Sequence, residues 1–155
     1  MPTSSPTQPD TAQHDYTSSA AYEPGRSHAG VTIWTAYLGL IGTHFMLRVC
    51  GYRSIRRYLA RYAPPRRFEE RSEPIDVASI VDIVDWALVY YPTPVKCLHR
   101  STLIAWLLKR RGVPAQLVIG CQHTPFYAHA WVELNGEVVN DPPSVREQYV
   151  EMERV

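Results

Sequence analysis

The dipeptide Asn135-Gly136 constrains the fold of this chain more than any other feature. It stands between an alternating apolar and polar segment that ends at Leu134 and a short segment that begins at Glu137. Asn and Gly both tolerate the positive φ angles of a two-residue type I′ turn, and this pair is the strongest short-range hairpin signal that a sequence offers. We therefore predict two antiparallel strands over residues 127–134 and 137–140.

Helical patterns precede this hairpin. Apolar residues recur at helical spacing over residues 48–62, again after Pro74, and most clearly over 97–111. Gly112 suits the left-handed position that follows a helix. A short strand is predicted over 115–121, and the polar last dozen residues indicate at most a short helix. Helices followed by a small antiparallel sheet indicate an α+β protein, and 155 residues are enough for one domain with a real core.

The chain before this core falls into two parts. Residues 1–30 contain no Ile, Leu, Val, Phe or Trp, so they cannot offset the entropy of ordering, and we predict a disordered tail. Residues 31–47 carry no formal charge, but three Thr, two Gly and a His make a poor membrane span. We predict a buried helix, or a strand followed by a helix, with an interfacial membrane contact as the alternative. The predicted divisions are 1–30, a helical and Arg-rich segment at 31–72, and a core at 73–155.

The charge of the chain is uneven although its net value is only +1. Between residues 48 and 71 there are eight arginines and two acids. The small net charge does not indicate a nucleic-acid partner. The predicted helix at 48–62 presents Arg53, Arg56 and Arg57, which form either a solvated face or a docking face for a partner or an acidic peptide.

The three cysteines indicate a reducing environment. An odd count argues against a complete disulfide framework, and such chains are typical of the cytoplasm. The first thirty residues contain no apolar stretch of the kind that a secretory signal needs. We therefore expect a cytoplasmic location.

Three residues form a candidate nucleophilic triad. Cys97 stands at the start of the helix predicted over 97–111, where the helix dipole and an imidazolium would favour the thiolate. His129 lies on the strand before the hairpin turn, and Asp141 follows the strand after it. Counting outward from the turn puts these two side chains at adjacent positions, so Asp141 could orient the His129 ring while that ring takes the thiol proton.

Other interpretations of these residues remain open. A lone cysteine is more often a small buried hydrophobe, and a lone histidine on a strand is more often structural. Two Cys-x-His pairs also form a zinc ligand set, although ligands two apart at a helix start do not point together; these are Cys97, His99, Cys121 and His123. Tyr127 and Trp131 share the strand face of His129 and are candidate substrate contacts, with packing beside the site as the alternative for Trp131.

The motifs that carry these residues resemble those of the transglutaminase-like cysteine peptidases of lasso-peptide biosynthesis. They are Pro94-Val-Lys-Cys97-Leu-x-Arg-Ser101, Leu107 through Ala115, Leu117-Val-Ile-Gly120, Ala128-His-Ala-Trp-Val-Glu133 and Val139-Asn-Asp141. The resemblance implies a papain/transglutaminase-like fold, with the nucleophile at a helix N-terminus packed on a small antiparallel sheet. It also assigns the catalytic roles to Cys97, His129 and Asp141.

The same resemblance implies an activity and its partners. Such a peptidase removes the leader from a ribosomally made precursor peptide, and a macrolactam-forming cyclase then acts on the freed amine. The absence of room for a folded recognition domain before residue 31 predicts a separate leader-recognition protein. No metal or cofactor is expected. Two other functions remain open: another acyl-transfer enzyme, such as a transglutaminase or amidase, and a non-catalytic peptide-binding scaffold.

Overall fold

The computed structural model describes residues 31–62 and 75–155. The predicted disorder of residues 1–30 and the predicted division after residue 72 lie outside these ranges. In chain order the elements are α1 (Ile33–Val49), α2 (Gly51–Arg61), α3 (Val77–Val89), α4 (Cys97–Lys109), β1 (Gln116–His123), β2 (Phe126–Leu134), β3 (Glu137–Val138), α5 (Val145–Gln148) and β4 (Val150–Arg154). Helices with a small antiparallel sheet confirm the predicted α+β class.

The sheet is built around the predicted hairpin. Asn135 and Gly136 have φ angles of 51° and 84°, and positive values at both positions are those that a type I′ turn needs. The strand order is β3-β2-β1-β4, with antiparallel pairing throughout the described sheet. β3 is only two residues long, shorter than the predicted strand over 137–140.

The presence of strand β4 corrects the prediction for the last dozen residues, which were expected to form at most a short helix. It forms an edge of the sheet beside β1, and most of its side chains are exposed. Edge strands commonly carry charged residues, which protect them from pairing with other chains. The run Glu151-Met-Glu-Arg154 therefore lacks the apolar alternation that marks a half-buried strand.

Two helices replace the single helix predicted over 48–62. Gly51 has a φ angle of 69°, a left-handed conformation that breaks the helical path between α1 and α2. The helix expected over 31–47 is confirmed, but it is buried along one side only. Trp34 and Phe45 are 73% and 65% exposed. Within the described residues, the structure contains no helix with the length and apolar character needed to cross a bilayer.

The helix α4 is the centre of the fold and positions the candidate nucleophile. Its residues from Ser101 to Leu108 are buried apart from Trp106, and they pack against α1, α3 and the sheet. After Lys109 the chain turns at Gly112, whose φ of 82° matches the left-handed conformation predicted from the sequence. Because α4 is held on several sides, the direction of its first turn is fixed by the core.

Candidate functional site

Cys97 is the first residue of α4. Lys96 occupies the N-cap position, and its side chain makes no capping hydrogen bond. The first N–H groups of a helix have no partner within the helix, so they and the helix dipole can stabilise negative charge at this end. The thiol is free and partly buried, and it packs against the main core.

His129 and Asp141 lie in direct contact, as predicted, although the strand register counted from the hairpin turn is not what brings them together. The Nε2 atom of His129 is 3.3 Å from Oδ1 of Asp141, and both side chains are mostly buried. Among the described residues Nδ1 of His129 has no hydrogen-bond partner. An imidazole that is held by a carboxylate through one nitrogen can exchange a proton through the other.

A regular strand ladder does not produce this contact. β2 and β3 pair only at Glu133–Val138 and Leu134–Glu137, and a further bond from Val139 N to Val132 O extends them by one residue. Beyond that point a side chain takes over the role of the strand backbone. The Val132 N–H donates to Oδ1 of Asn140 at 2.7 Å instead of to a backbone carbonyl.

The buried side chain of Asn140 also binds α4. Its Nδ2 donates to Ser101 Oγ at 2.9 Å, and Ser101 Oγ donates to the Ala130 carbonyl at 2.7 Å. Ala130 follows His129, and Asn140 precedes Asp141. The network therefore fixes the backbone beside two of the three candidate catalytic residues against one residue of α4, Ser101.

Arg100 links the same region to α3. Its guanidinium donates two hydrogen bonds to the Asp85 carboxylate, at 2.6 and 2.7 Å. Nη1 of Arg100 donates to the Asn140 carbonyl at 2.5 Å and lies 3.4 Å from Oδ2 of Asp141. A parallel pair of bonds to a carboxylate fixes the plane of a guanidinium, so Arg100 presents a positioned charge to Asp141.

Cys97 lies on the face of α4 that makes these contacts. Residues three and four apart on a helix are neighbours on its surface, and Arg100 and Ser101 stand at those distances from Cys97. In the described structure no hydrogen bond joins the Cys97 thiol to the His129 ring. Such bonds are often long in a free enzyme and shorten when substrate binds.

The face of β2 that bears His129 is lined by aromatic rings. His129 lies 5.3 Å from Tyr149 and 6.3 Å from Trp131, measured between ring centroids. Trp131 is only 2% exposed and donates from Nε1 to Glu133 at 2.8 Å. This placement favours packing beside the site over the predicted substrate contact for Trp131. Tyr127, the other predicted contact, is exposed and lies near Tyr149.

The four residues of the alternative zinc set are not gathered into a metal site. Within residues 31–62 and 75–155 there is no group of three or more His, Cys, Asp or Glu side chains that could hold a metal ion. His99 instead packs against His44, with ring centroids 5.1 Å apart, and neither Nδ1 atom has a partner in the described structure. Burial, followed by the nearby His44, lowers the pKa of His99.

The three arginines of the predicted docking face differ in their surroundings. Arg56 forms an ion pair with Glu153 of β4 at 2.5 Å, which ties α2 to the edge of the sheet. Arg53 and Arg57 are exposed and have no ion pair among the described residues. With Ala60 and Arg61 they line a shallow basic depression on the outer side of α2.

Comparison with known proteins places the chain in a family. A sequence profile of the transglutaminase-like superfamily matches residues 38–154. The chain belongs to the transglutaminase-like superfamily. This membership confirms the resemblance noted in the sequence at the level of the superfamily, together with its α+β fold.

A curated relative matches part of this transglutaminase-like chain. The microcin J25-processing protein McjB of Escherichia coli is 44% identical over 52 residues. Those residues are 34% of this chain and 25% of McjB, so the match spans a quarter of the relative's length. No solved structure matches the chain.

Three positioning residues of the candidate site, Arg100, Ser101 and Asn140, were not predicted from the sequence. Arg100 and Ser101 belong to the motif quoted after Cys97, and their helical spacing from it places them on its side of α4. That spacing is a usable signal. Asn140 carried no comparable signal, because an amide beside an aspartate before two prolines is more typical of a turn.

Proposed function

We propose that this chain is a cysteine endopeptidase that removes the leader from a ribosomally synthesised lasso-peptide precursor. The contact of His129 with Asp141, beside the helix that begins at Cys97, is the observation that carries the proposal. Nucleophilic catalysis by Cys97 needs a base and a group that orients the base, and His129 and Asp141 supply these two in contact with each other. The partial likeness to a microcin J25-processing protein supports a peptide substrate.

The proposed reaction has two steps. The Cys97 thiolate attacks the scissile carbonyl carbon, and the Cys97 N–H at the start of α4 stabilises the oxyanion. The C–N bond breaks, His129 gives its proton to the leaving amine, and a thioester remains. Water, activated by His129, then hydrolyses the thioester and regenerates the thiol. Asp141 holds the ring in one orientation throughout.

The proposal includes partners and a location. A separate protein recognises the leader, and a cyclase closes the macrolactam on the new N-terminus, all in the cytoplasm. The Arg-rich outer side of α2, with Arg53 and Arg57, is the proposed contact for the leader or its recognition protein. Arg56 contributes less to this contact, since Glu153 already holds it.

Cleavage of a precursor in vitro tests the function. The purified chain is incubated with a lasso precursor and its recognition protein, and mass spectrometry follows release of the leader. Cys97→Ala and His129→Ala should abolish cleavage. Cys50→Ala is the matched control, because Cys50 is an exposed free cysteine at the junction of α1 and α2. Full cleavage by Cys97→Ala would contradict the proposal.

The same variants separate the alternatives. A transglutaminase or amidase on this triad would incorporate a labelled amine or release ammonia without cutting the precursor chain, and Cys97→Ala would remove either activity. A peptide-binding scaffold would retain its function in Cys97→Ala. Precursor cleavage that depends on Cys97 supports only the peptidase.

A further inference from the structure

An apolar groove lies between α1, α2 and α4, on a surface that the proposed chemistry does not use. Its volume is about 500 Å³, and most of its lining is apolar. The floor contains the buried residues Ile55, Leu59 and Leu103, and the walls include the more exposed Leu38 and Met46. Tyr58 and Trp106 stand at one side, joined by a hydrogen bond of 3.3 Å from the indole to the hydroxyl.

Two glycines of α1 give this groove its depth. A Cβ atom on Gly39 would approach Leu103 to 2.6 Å, so α1 and α4 meet closely there. A Cβ atom on Gly42 would have no neighbour within 4 Å among the described residues. Glycine is less favourable than alanine inside a helix, and packing within residues 31–62 and 75–155 does not require it at Gly42. The missing side chain keeps the groove open.

The surface beside the groove is both apolar and basic. Along α1 an exposed apolar stripe, made of Trp34, Leu38, Ile41, Phe45 and Val49, follows the spacing of one helix face. Residues 31–62 contain five arginines and no acidic residue. Arg61 stands three residues after Tyr58 and neighbours it on the surface of α2, and Arg110 lies over the Trp106 ring at 5.2 Å. An apolar patch of this kind on a protein surface marks an interaction site.

The geometry points to this groove as the docking site for an amphipathic, acidic helical segment of a partner polypeptide. Apolar side chains at positions i, i+4 and i+7 of such a helix would enter the groove. Acidic side chains on its flanks would meet Arg61 and Arg110, so charge complementarity sets both partner and orientation. The site is separate from Cys97, and the inference stands whether or not the chain is a peptidase.

Other occupants fit the same surface less well. Residues 1–30 have no Ile, Leu, Val, Phe or Trp, and residues 63–74 have a single large apolar side chain, Phe68, so neither could fill the groove. An anionic membrane would attract the arginines. A membrane surface, however, binds the protruding apolar face of a helix and would leave a concave site such as that at Gly42 unfilled. A second copy of the chain offers no acidic residue between 31 and 62.

Binding of a synthetic probe tests the inference. The probe is a fluorescently labelled helical peptide with Leu at i, i+4 and i+7 and Glu on both flanks. Its control has Lys in place of every Glu. Fluorescence anisotropy should show binding of the Glu peptide that falls as salt rises. The Lys peptide should bind at least about tenfold more weakly.

Variants of the full chain locate the binding site. A Cβ atom at Gly42 meets none of the described residues, so Gly42→Leu should fill the groove and weaken binding by about tenfold while the melting temperature is maintained. Arg61→Glu with Arg110→Glu should weaken it similarly. Arg53→Glu with Arg57→Glu is the matched control, since both lie two residues from the groove-facing Ile55 and therefore about 160° around α2 from it, on the outer side proposed for the leader. Cys97→Ala should bind like the unaltered chain, so a failed peptidase proposal and a failed docking site give different results.

Four outcomes would overturn the inference. They are no binding of the Glu peptide, equal binding of both peptides, binding that Gly42→Leu leaves unchanged, and equal loss from the Arg53/Arg57 pair and the Arg61/Arg110 pair. Light scattering that shows a dimer broken by Gly42→Leu would assign the groove to a second copy instead. Preferential binding to phosphatidylglycerol vesicles, unchanged by Gly42→Leu, would assign the surface to a membrane.

Discussion

Arg100 and Asp85 join the two helices behind the candidate site through two parallel hydrogen bonds of 2.6 and 2.7 Å. The same guanidinium reaches the Asn140 carbonyl and the Asp141 carboxylate. The position of Asp141 therefore depends on α3 as well as on α4. A planar, charged group with several fixed donors is the side chain suited to this task.

We expect Arg100→Lys to lower cleavage and stability together. A lysine keeps the charge but cannot bind Asp85 through two parallel bonds while it also reaches Asn140 and Asp141. The free energy of unfolding should fall by about 2 kcal/mol, a value within the usual range for the loss of a hydrogen bond to a charged group. Turnover should fall by about tenfold or more because Asp141 is less well held. Urea titration and precursor cleavage measure the two effects. Arg110→Lys, at the far end of α4, is the control, and equal effects of both changes would argue against positioning.

The buried pair Ser101 and Asn140 should be strongly coupled. Asn140→Ala leaves the Val132 N–H buried without a partner, which costs about 1–3 kcal/mol. Ser101→Ala removes the acceptor of Asn140 Nδ2 and the donor to Ala130. Because the two changes disrupt one network, the double variant should lose less stability than the sum of the single losses, by about 0.5–3 kcal/mol. A double-mutant cycle from urea titrations measures this. Strict additivity would mean that the two residues act separately.

The parts of the fold with local signals were predictable from the sequence. Asn135-Gly136 specifies its turn through backbone angles that few residues adopt, and Gly112 does the same at the end of α4. These two signals act within a few residues, so no tertiary contact was needed to read them. The proximity of His129 and Asp141 was also predicted, but a regular ladder would set Asp141 opposite Ala130, and the bonds of Asn140 and Arg100 bring it to His129 instead.

The parts that depend on tertiary contacts were not predictable. β4 is an edge strand with exposed charged residues, and only its pairing with β1 makes it a strand. The break at Gly51 was not predicted because it lies within a continuous helical pattern. A glycine in such a pattern does not tell whether the helix bends or continues. Asn140 substitutes for a strand through its side chain, and the tie of Arg100 to Asp85 spans fifteen residues. No periodicity encodes such contacts.

The buried carboxylate of Glu133 should make stability depend on acid pH. Burial alone would raise its pKa, but hydrogen bonds from Trp131 and Arg154 and the charges of Arg154 and Arg146 outweigh burial, and the pKa lies below the ordinary 4.5. A folded-state pKa below the unfolded one gives stability that is complete above the unfolded value and is lost as pH falls through the folded value.

Comparison with Glu133→Gln isolates this contribution. The difference in the free energy of unfolding between the two proteins should be constant above about pH 5.5 and shrink below about pH 4.5. Urea titrations at several pH values measure it. Glu137→Gln is the control, because Glu137 is exposed at the hairpin turn and should leave the pH profile unchanged. A difference that persists undiminished to about pH 3 would contradict the assignment.

Asp141→Asn should separate orientation of the His129 ring from folding. The carboxylate accepts from Nε2, which leaves Nδ1 to receive the thiol proton. An amide can instead donate to Nε2, and that would favour the tautomer with its proton on Nδ1, which cannot act as a base toward Cys97. Turnover should fall by about 100-fold or more. The amide keeps the size of the side chain, so the melting temperature should change less than in Asp141→Ala. If cleavage persists at the original rate in Asp141→Asn, His129 does not depend on Asp141 for its orientation, and the third member of the proposed triad must be another group.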